Sequence, residues 1–178
     1  MIGFLKFVGI LNAAVWFGAT IFHLFGATPA LRTEAMQALL TAKHFPYVSG
    51  VIAQIVADRF FYWLLACGFL ALAHLVAERL YFGRAPQRLG FGLVLGLLAA
   101  TLFLGLIVQP KIRYWHLRSH AVNYTPPQRA ASQKLMRAWS AFAWTIQLAL
   151  IGGLGVHLWR MANPPEQKRF TSPSQIRY

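Results

Sequence analysis

Long apolar runs alternate with short basic segments along the chain, and four of these runs are long enough to cross a bilayer. A spanning helix needs about 20 apolar residues to cross roughly 30 Å of hydrocarbon. The runs cover residues 2–27, 60–82, 89–108 and 138–161. The pattern predicts an all-α fold: a polytopic membrane protein with four transmembrane helices in an up-down bundle.

The polar segments divide into two sets according to the side of the membrane that they reach. Both ends of the chain and the turn Gly83–Arg88 share one side, face A, whereas the two longer connections share the opposite side, face B. Residues 1–162 form the predicted transmembrane domain, and residues 163–178 form a basic tail that we expect to be mobile. Basic residues are nearly balanced between the faces, so the positive-inside rule does not set the orientation.

Both face-B connections carry signals for additional helix. Thr33 is placed to cap a short helix over residues 34–43, after which a helical pattern resumes at Val48 and continues into the second span. The sequence TPPQ at 125–128 has the form of a capping box that starts a helix running into the fourth span. Pro110 is expected to end or kink the third span. Helical extensions are therefore predicted on face B.

Composition supports a membrane protein and disfavours a nucleic-acid reader. Apolar residue types make up 57% of the 178 residues and charged types 12%, with a formal charge of +13. Nucleic-acid readers carry their cations on a soluble module, for which this chain has no room. Cations that flank apolar helices instead meet the anionic headgroups of the lipid bilayer. The single cysteine, Cys67, allows no internal disulfide.

The basic segment KIRYWHLRSH at 111–120 follows the third span and contains a histidine pair at helical spacing. His116 and His120 would share one side of a helix with Arg113, and a pair spaced in this way is a candidate two-point metal ligand. His44 is the only obvious third ligand, and the neighbouring cations repel a metal ion. The aromatic residues of the segment favour anchoring at the membrane interface, so no metal is predicted.

A second pair of histidines lies within the spans themselves. His74 belongs to the second span and His157 to the fourth, and four-helix membrane bundles can hold haem between facing histidines. A two-haem carrier would need matched pairs at two depths, whereas these residues form one loosely matched pair. They remain weak candidates, and no cofactor is predicted.

Two carboxylates at the ends of the second span are candidates for structural ion pairs. Asp58 lies near face B, where the cations Arg59, Lys111, Arg113 and Arg137 are its candidate partners, and a carboxylate beside a membrane is costly unless it is paired. The alternative is a proton or cation relay.

At the face-A end of the same span, Glu78 lies beside Arg79, and the same two interpretations apply. Asn12 and Gln147 are uncharged polar residues within spans, for which interhelical hydrogen bonds are the usual role. The alternative for these two is a substrate pathway.

Three stretches of the sequence resemble a known family. WFGATIFHLFGATPAL at 16–31, HLVAERLYFGR at 74–84 and LIVQPKIRYWHLRSH at 106–120 are similar to the small membrane proteins of the transmembrane-protein-205-like group. This resemblance implies a four-helix membrane bundle, catalogued in bacteria as a domain of unknown function, and hence a bacterial inner-membrane location. It implies no catalytic residue or ligand.

Three functional hypotheses from different classes follow. The favoured one is a non-enzymatic accessory or interaction protein that contacts anionic lipid and a membrane-protein partner or a second copy of itself. The second is a small transporter or permeation pathway, in which Asn12, Asp58, Gln147 and Glu78 would line one aqueous path. The third is a haem- or metal-binding redox protein. No nucleophile–base pair, phosphate loop or paired-carboxylate site is present, so no enzymatic activity is predicted.

Overall fold

The computed structural model describes residues 2–40, 44–82 and 88–163, and the described segments are helical with no strand among them. The helices are α1, continuous through Ile2–Ile21, Phe22–Ala27 and Thr28–Ala30; α2, Glu34–Leu40; α3, Phe45–Phe82; α4, continuous through Arg88–Phe103, Leu104–Val108 and Gln109–His120; and α5, Pro126–Ala162. Of these, α1, α3, α4 and α5 are long and apolar enough to cross a membrane. The predicted four-helix, all-α membrane fold is confirmed.

The four spanning helices form a closed up-down bundle. Helix α1 packs against α3 and α5, and α4 packs against the same two helices from the other side. The start of α1 and the end of α5 meet at face A, where a Cβ atom added to Gly9 would lie 2.5 Å from Met161 Cε. Residues 41–43, the turn 83–87 and residues 164–178, which hold most of the expected basic tail, lie outside the described part of the chain.

Apolar side chains fill the middle of the bundle. The buried cluster has members on all four spanning helices, including Trp16, Leu64, Val94 and Leu154, which are almost inaccessible to solvent. Large apolar side chains such as Phe4, Trp63 and Leu106 are exposed on the outside of the bundle. An apolar exterior around a packed interior is what a bundle surrounded by lipid requires, because the lipid tails are as apolar as the core.

Two helices extend well beyond a membrane. Helix α3 has 38 residues and α5 has 37, which at 1.5 Å per residue gives each a length of about 55 Å. Helix α5 begins with the predicted capping box, in which the Thr125 N–H donates to Gln128 Oε1 at 3.0 Å. Helix α2 begins after Thr33, whose Oγ1 accepts a long bond of 3.4 Å from the Met36 N–H. The face-B extensions are therefore present, although α3 begins at Phe45, three residues before the predicted start at Val48.

Both α1 and α4 contain a π-helical turn, and each turn is followed two residues later by a proline. The turn Phe22–Ala27 precedes Pro29, and the turn Leu104–Val108 precedes Pro110. A proline removes one backbone N–H and its ring crowds the carbonyl four residues earlier, and the wider π turn relieves this conflict. Helix α4 consequently does not end at Pro110, but continues to His120.

Candidate functional site

A cavity of about 370 Å³ opens into the bundle from face B, between all four spanning helices. We call it the vestibule. Its polar lining consists of two guanidinium groups, four amides, two imidazoles and three hydroxyl groups, among them Arg32, Arg137, Gln54, Gln109, His116 and Gln147. No carboxylate belongs to this lining in the described part of the chain. The vestibule is therefore rich in hydrogen-bond donors and carries positive charge only.

The floor of the vestibule is a contact between α1 and α5. His23, in the first π turn, lies with Nδ1 3.3 Å from Gln147 Oε1, and the bond forms when Nδ1 carries the proton. The His23 ring is also stacked on Phe60 of α3, with centroids 3.9 Å apart and planes 3° from parallel. Trp16 and Leu150 fill the space below as part of the buried core. The vestibule is therefore closed toward face A.

One wall is formed by His116, which is 3% exposed. Its ring stacks on Tyr47 at a centroid distance of 5.7 Å, and its Nε2 lies 3.2 Å from the Tyr47 carbonyl oxygen. Gly50 provides the room, since a Cβ there would lie 2.7 Å from His116 Nε2. The His120 ring is 4.7 Å away, centroid to centroid, and packs on the edge of Tyr47. This histidine pair thus belongs to an aromatic wall.

Beside that wall, Arg118 fixes the turn between α4 and α5. Its Nε–H donates to the Tyr124 hydroxyl at 2.7 Å, and its Nη1–H donates to the Tyr114 hydroxyl at 2.5 Å. The guanidinium also lies over the rings of Tyr114, Trp115 and Tyr124. Cation–π contacts of this kind favour a fixed position for the cation. The aromatic residues that sequence reasoning assigned to interface anchoring therefore also order this turn.

Most polar side chains of the vestibule have no partner elsewhere in the described chain. The side chains of Arg32, Arg137, Gln54 and Gln109 form neither a hydrogen bond nor an ion pair there, and the amide nitrogen of Gln147 is equally unused. Gln54 and Gln109 are half-buried, and polar groups in such positions are normally satisfied by protein, water or ligand, whereas Arg32 and Arg137 are exposed to solvent. The vestibule therefore offers several unused donors to whatever occupies it.

Asp58 and Arg113 form an ion pair outside the vestibule, between α3 and α4. Their side chains are 43% and 48% exposed, so the pair is only half-buried. Arg59 is exposed, and Arg137 lines the vestibule and does not reach the carboxylate. Of the candidate partners, the fold brings Arg113 to Asp58.

At the face-A end, Glu78 lies against His74 and not against its neighbour in sequence. Glu78 Oε1 is 3.5 Å from His74 Nε2, one helical turn away, while Arg79 is exposed. His157 is buried nearby, edge-on to Trp16 with centroids 6.5 Å apart. Residues i and i+1 of a helix project in different directions, which explains why Glu78 does not face Arg79.

Asn12 forms an interhelical hydrogen bond, in which its Nδ2 donates to the Cys67 carbonyl oxygen at 2.9 Å. Of the four residues that would line a permeation path, only Gln147 lines the vestibule. His44 is exposed, and no three histidine, cysteine or acidic side chains in the described ranges converge as a metal group. The fold thus does not unite His44, His116 and His120 as ligands.

Sequence reasoning did not identify the vestibule. Gln54, Gln109 and Gln133 each resemble an ordinary solvated residue near a membrane surface, and Arg32 resembles an interfacial cation. Their shared signal is that all lie near the face-B ends of different apolar runs. That grouping becomes meaningful only when the rotation of each helix is known.

Comparison with known proteins identifies the family. The family model described as "Domain of unknown function (DUF4149)" matches residues 11–121, more than half of the chain. The chain belongs to the DUF4149 family. The DUF4149 match runs from Leu11 within α1 to the end of α4, including His23 and His116, whereas Arg137 and Gln147 lie beyond it. This match does not identify the transmembrane-protein-205-like group in particular. Searches of the curated proteins and of the solved structures found no match.

Proposed function

We propose that this DUF4149 protein is a non-enzymatic protein of the bacterial cytoplasmic membrane that binds a small anionic ligand in the vestibule. The observation that carries the proposal is the set of unpaired donors around one cavity. Arg32 and Arg137 come from different segments and line the same space, with the amide of Gln147 at its floor.

Charge determines the class of ligand. The lining contains two guanidinium groups and no described carboxylate, so it repels a cation. A neutral ligand could accept hydrogen bonds from the lining, but it would bind more weakly than an anion. Charge-assisted hydrogen bonds from arginine to carboxylate or phosphate are roughly twice as strong as neutral ones. A phosphate or carboxylate group therefore fits the lining best.

The closed floor supports binding in preference to an open pore. His23, Gln147 and Phe60 close the cavity, and the core below them includes Trp16 and Leu154. An accessory role, with the ligand or a partner protein recognised on face B, agrees with this closed arrangement. Purification in mild detergent tests the partner directly: a stoichiometric second protein supports the accessory role.

A small transporter is the second candidate, because a separate polar group lies at the other end of the bundle. His74 and His157 are buried toward face A, with the partly exposed Glu78 beside His74, at the end of the bundle opposite the vestibule. Transport would require the intervening apolar layer to open. Anion uptake into liposomes containing the purified protein distinguishes the two candidates, since a binding protein produces no flux.

Ligand binding is tested by the thermal stability of the detergent-purified protein with phosphate, glycerol 3-phosphate or citrate, at constant ionic strength. A ligand that binds only the folded state raises the melting temperature with concentration. We expect Arg137→Gln to abolish that rise. Lys134→Gln, which removes the same charge from an exposed site on the same helix, should retain it. No rise with any of the anions, or equal rises in both variants, would contradict the proposal.

A further inference from the structure

The amide side chains of the vestibule are spread along its depth. On α5, Gln147 at the floor follows Arg137 by ten residues, which is about 15 Å at 1.5 Å per residue, and Gln133 lies one turn farther out. On α3, Gln54 precedes Phe60 of the floor by six residues, or about 9 Å. The vestibule is therefore elongated along the bundle, with hydrogen-bonding groups placed from its mouth to its floor.

Three of these amides have hydrogen-bonding groups left for a ligand. Gln54 and Gln109 are half-buried, and their side chains form no hydrogen bond within the described chain. Gln147 uses only Oε1, which lies 3.3 Å from His23 Nδ1, so its amide N–H groups are unused. A glutamine amide both donates and accepts hydrogen bonds. The lining thus offers paired donors and acceptors in addition to the charge of the arginines.

Hydroxyl groups are the ligand groups that match such amides, because a hydroxyl also donates and accepts. A carboxylate or a fully ionised phosphate only accepts, so it suits Arg32 and Arg137, which are exposed toward face B, and leaves the amide oxygens unpaired. Trp144 lines the same cavity and adds an aromatic surface, against which the C–H groups of a sugar ring can pack.

We propose that the vestibule binds a phosphorylated polyol of about the size of a hexose phosphate, with its phosphate at the mouth and its hydroxyl groups against the amides. This rests on the proposed function, anion binding in the vestibule, and adds the chemistry of the rest of the ligand. The volume of about 370 Å³ lies within the range of about 300–1,000 Å³ usual for small-molecule sites. A single phosphate ion is shorter than the separation of Arg137 from Gln147 and fills only part of this space.

The test compares glucose 6-phosphate with cyclohexylmethyl phosphate, which has a six-membered ring and a phosphate but no hydroxyl group. Calorimetric titration of the detergent-purified protein at constant ionic strength measures both affinities. Each hydrogen bond between an amide and a hydroxyl should contribute a ratio of about 2–10-fold. With several amides in contact, we expect glucose 6-phosphate to bind about tenfold more tightly or better.

Variants of the amides separate recognition of the polyol from recognition of the anion. Gln54→Met and Gln109→Met each remove one amide, nearly keep the length of the side chain and break no hydrogen bond within the described chain. Each should weaken the binding of glucose 6-phosphate about 2–10-fold and leave that of inorganic phosphate unchanged. Arg137→Gln should weaken both. Gln37→Met, on the exposed surface of α2, is the matched control and should bind as the wild type does.

The same chemistry occurs in soluble sugar phosphates and in the headgroups of lipids such as phosphatidylinositol, and nanodiscs distinguish these two sources. Phosphatidylinositol and phosphatidylserine carry the same net charge, but only the former is a phosphorylated polyol. Weaker binding of glucose 6-phosphate in phosphatidylinositol nanodiscs than in phosphatidylserine nanodiscs assigns the site to the lipid headgroup. Equal binding in both assigns it to a soluble ligand.

The proposal is overturned if glucose 6-phosphate binds no more tightly than cyclohexylmethyl phosphate, or if folded Gln54→Met and Gln109→Met both bind it as the wild type does. Gel filtration and the melting temperature show which variants are folded, and the comparison of the two ligands needs no variant. If either result is accompanied by phosphate binding that depends on Arg137, the proposed function stands without the polyol. If Arg137→Gln changes the binding of no anion, both fail.

Discussion

Gly50 of α3 lies directly against the imidazole of His116 of α4, and this contact brings the face-B extensions of the two helices together. A methyl group at position 50 would come within 2.7 Å of His116 Nε2, a distance that real Cβ atoms do not show. His116 has little freedom to move, because it is buried and stacked on Tyr47. The close approach therefore depends on glycine.

We expect Gly50→Ala to destabilise the protein by about 1–3 kcal/mol, the usual cost of overpacking. Thermal unfolding in detergent provides the measurement. Gly96→Ala is the control, since nothing lies within 4 Å of a Cβ there. In that variant the higher helix propensity of alanine should leave stability unchanged or slightly raised. Equal behaviour of the two variants would show that the contact with His116 is not tight.

The ion pair between Asp58 and Arg113 predicts a small, salt-dependent loss in Asp58→Asn. Because both side chains are nearly half exposed, the loss should be no more than about 1 kcal/mol. Arg113→Gln should produce a similar loss, and the double variant should lose no more than either alone. Melting temperatures at low and high salt test this. A variant of full stability that lacks a proton- or cation-dependent flux would support the relay interpretation instead.

Asn12 should contribute to stability through its bond between helices. Replacing it with leucine removes the donor to the Cys67 carbonyl oxygen, and we expect a loss of about 1 kcal/mol. Thr20→Val is the comparison, because among the described residues the Thr20 hydroxyl donates only to the Trp16 carbonyl oxygen of its own helix. A loss in Thr20→Val as large as in Asn12→Leu would mean that the interhelical bond has no special weight.

The up-down topology predicts which positions share a side of the membrane. In a Cys67→Ala background, single cysteines at Gly3 and Asn163 should react with an impermeant maleimide from one side. A cysteine at Val122, which is 88% exposed in the face-B turn, should react from the other. Labelling of Gly3 and Asn163 from opposite sides would exclude the four-span arrangement.

The spans and their starting points could be predicted because their signals are local. Hydrophobic length identifies the four helices, and the capping box at Thr125 is contained in four consecutive residues. The contact between His23 and Gln147 could not be predicted, because the two residues are 124 positions apart in the sequence and their contact depends on the rotation of both helices. The choice of Arg113 over Arg137 for Asp58 has the same origin, since both cations lie near face B.

The vestibule illustrates the same limit on a larger scale. Each of its glutamines is unremarkable in sequence, and together they acquire meaning only by facing one space.

The π turns give α1 and α4 a built-in angular offset. A π turn contains one residue more than an α-helical turn, and one residue corresponds to a rotation of about 100° around the helix axis. Everything beyond Val108 is therefore turned by that angle relative to the membrane-embedded part of α4. Without the added residue, Arg113 and His116 would point away from α3. The stacking of His116 on Tyr47, and with it the aromatic wall, would then be lost. One extra residue in an apolar segment of α4 thus determines the direction in which its polar side chains point at face B.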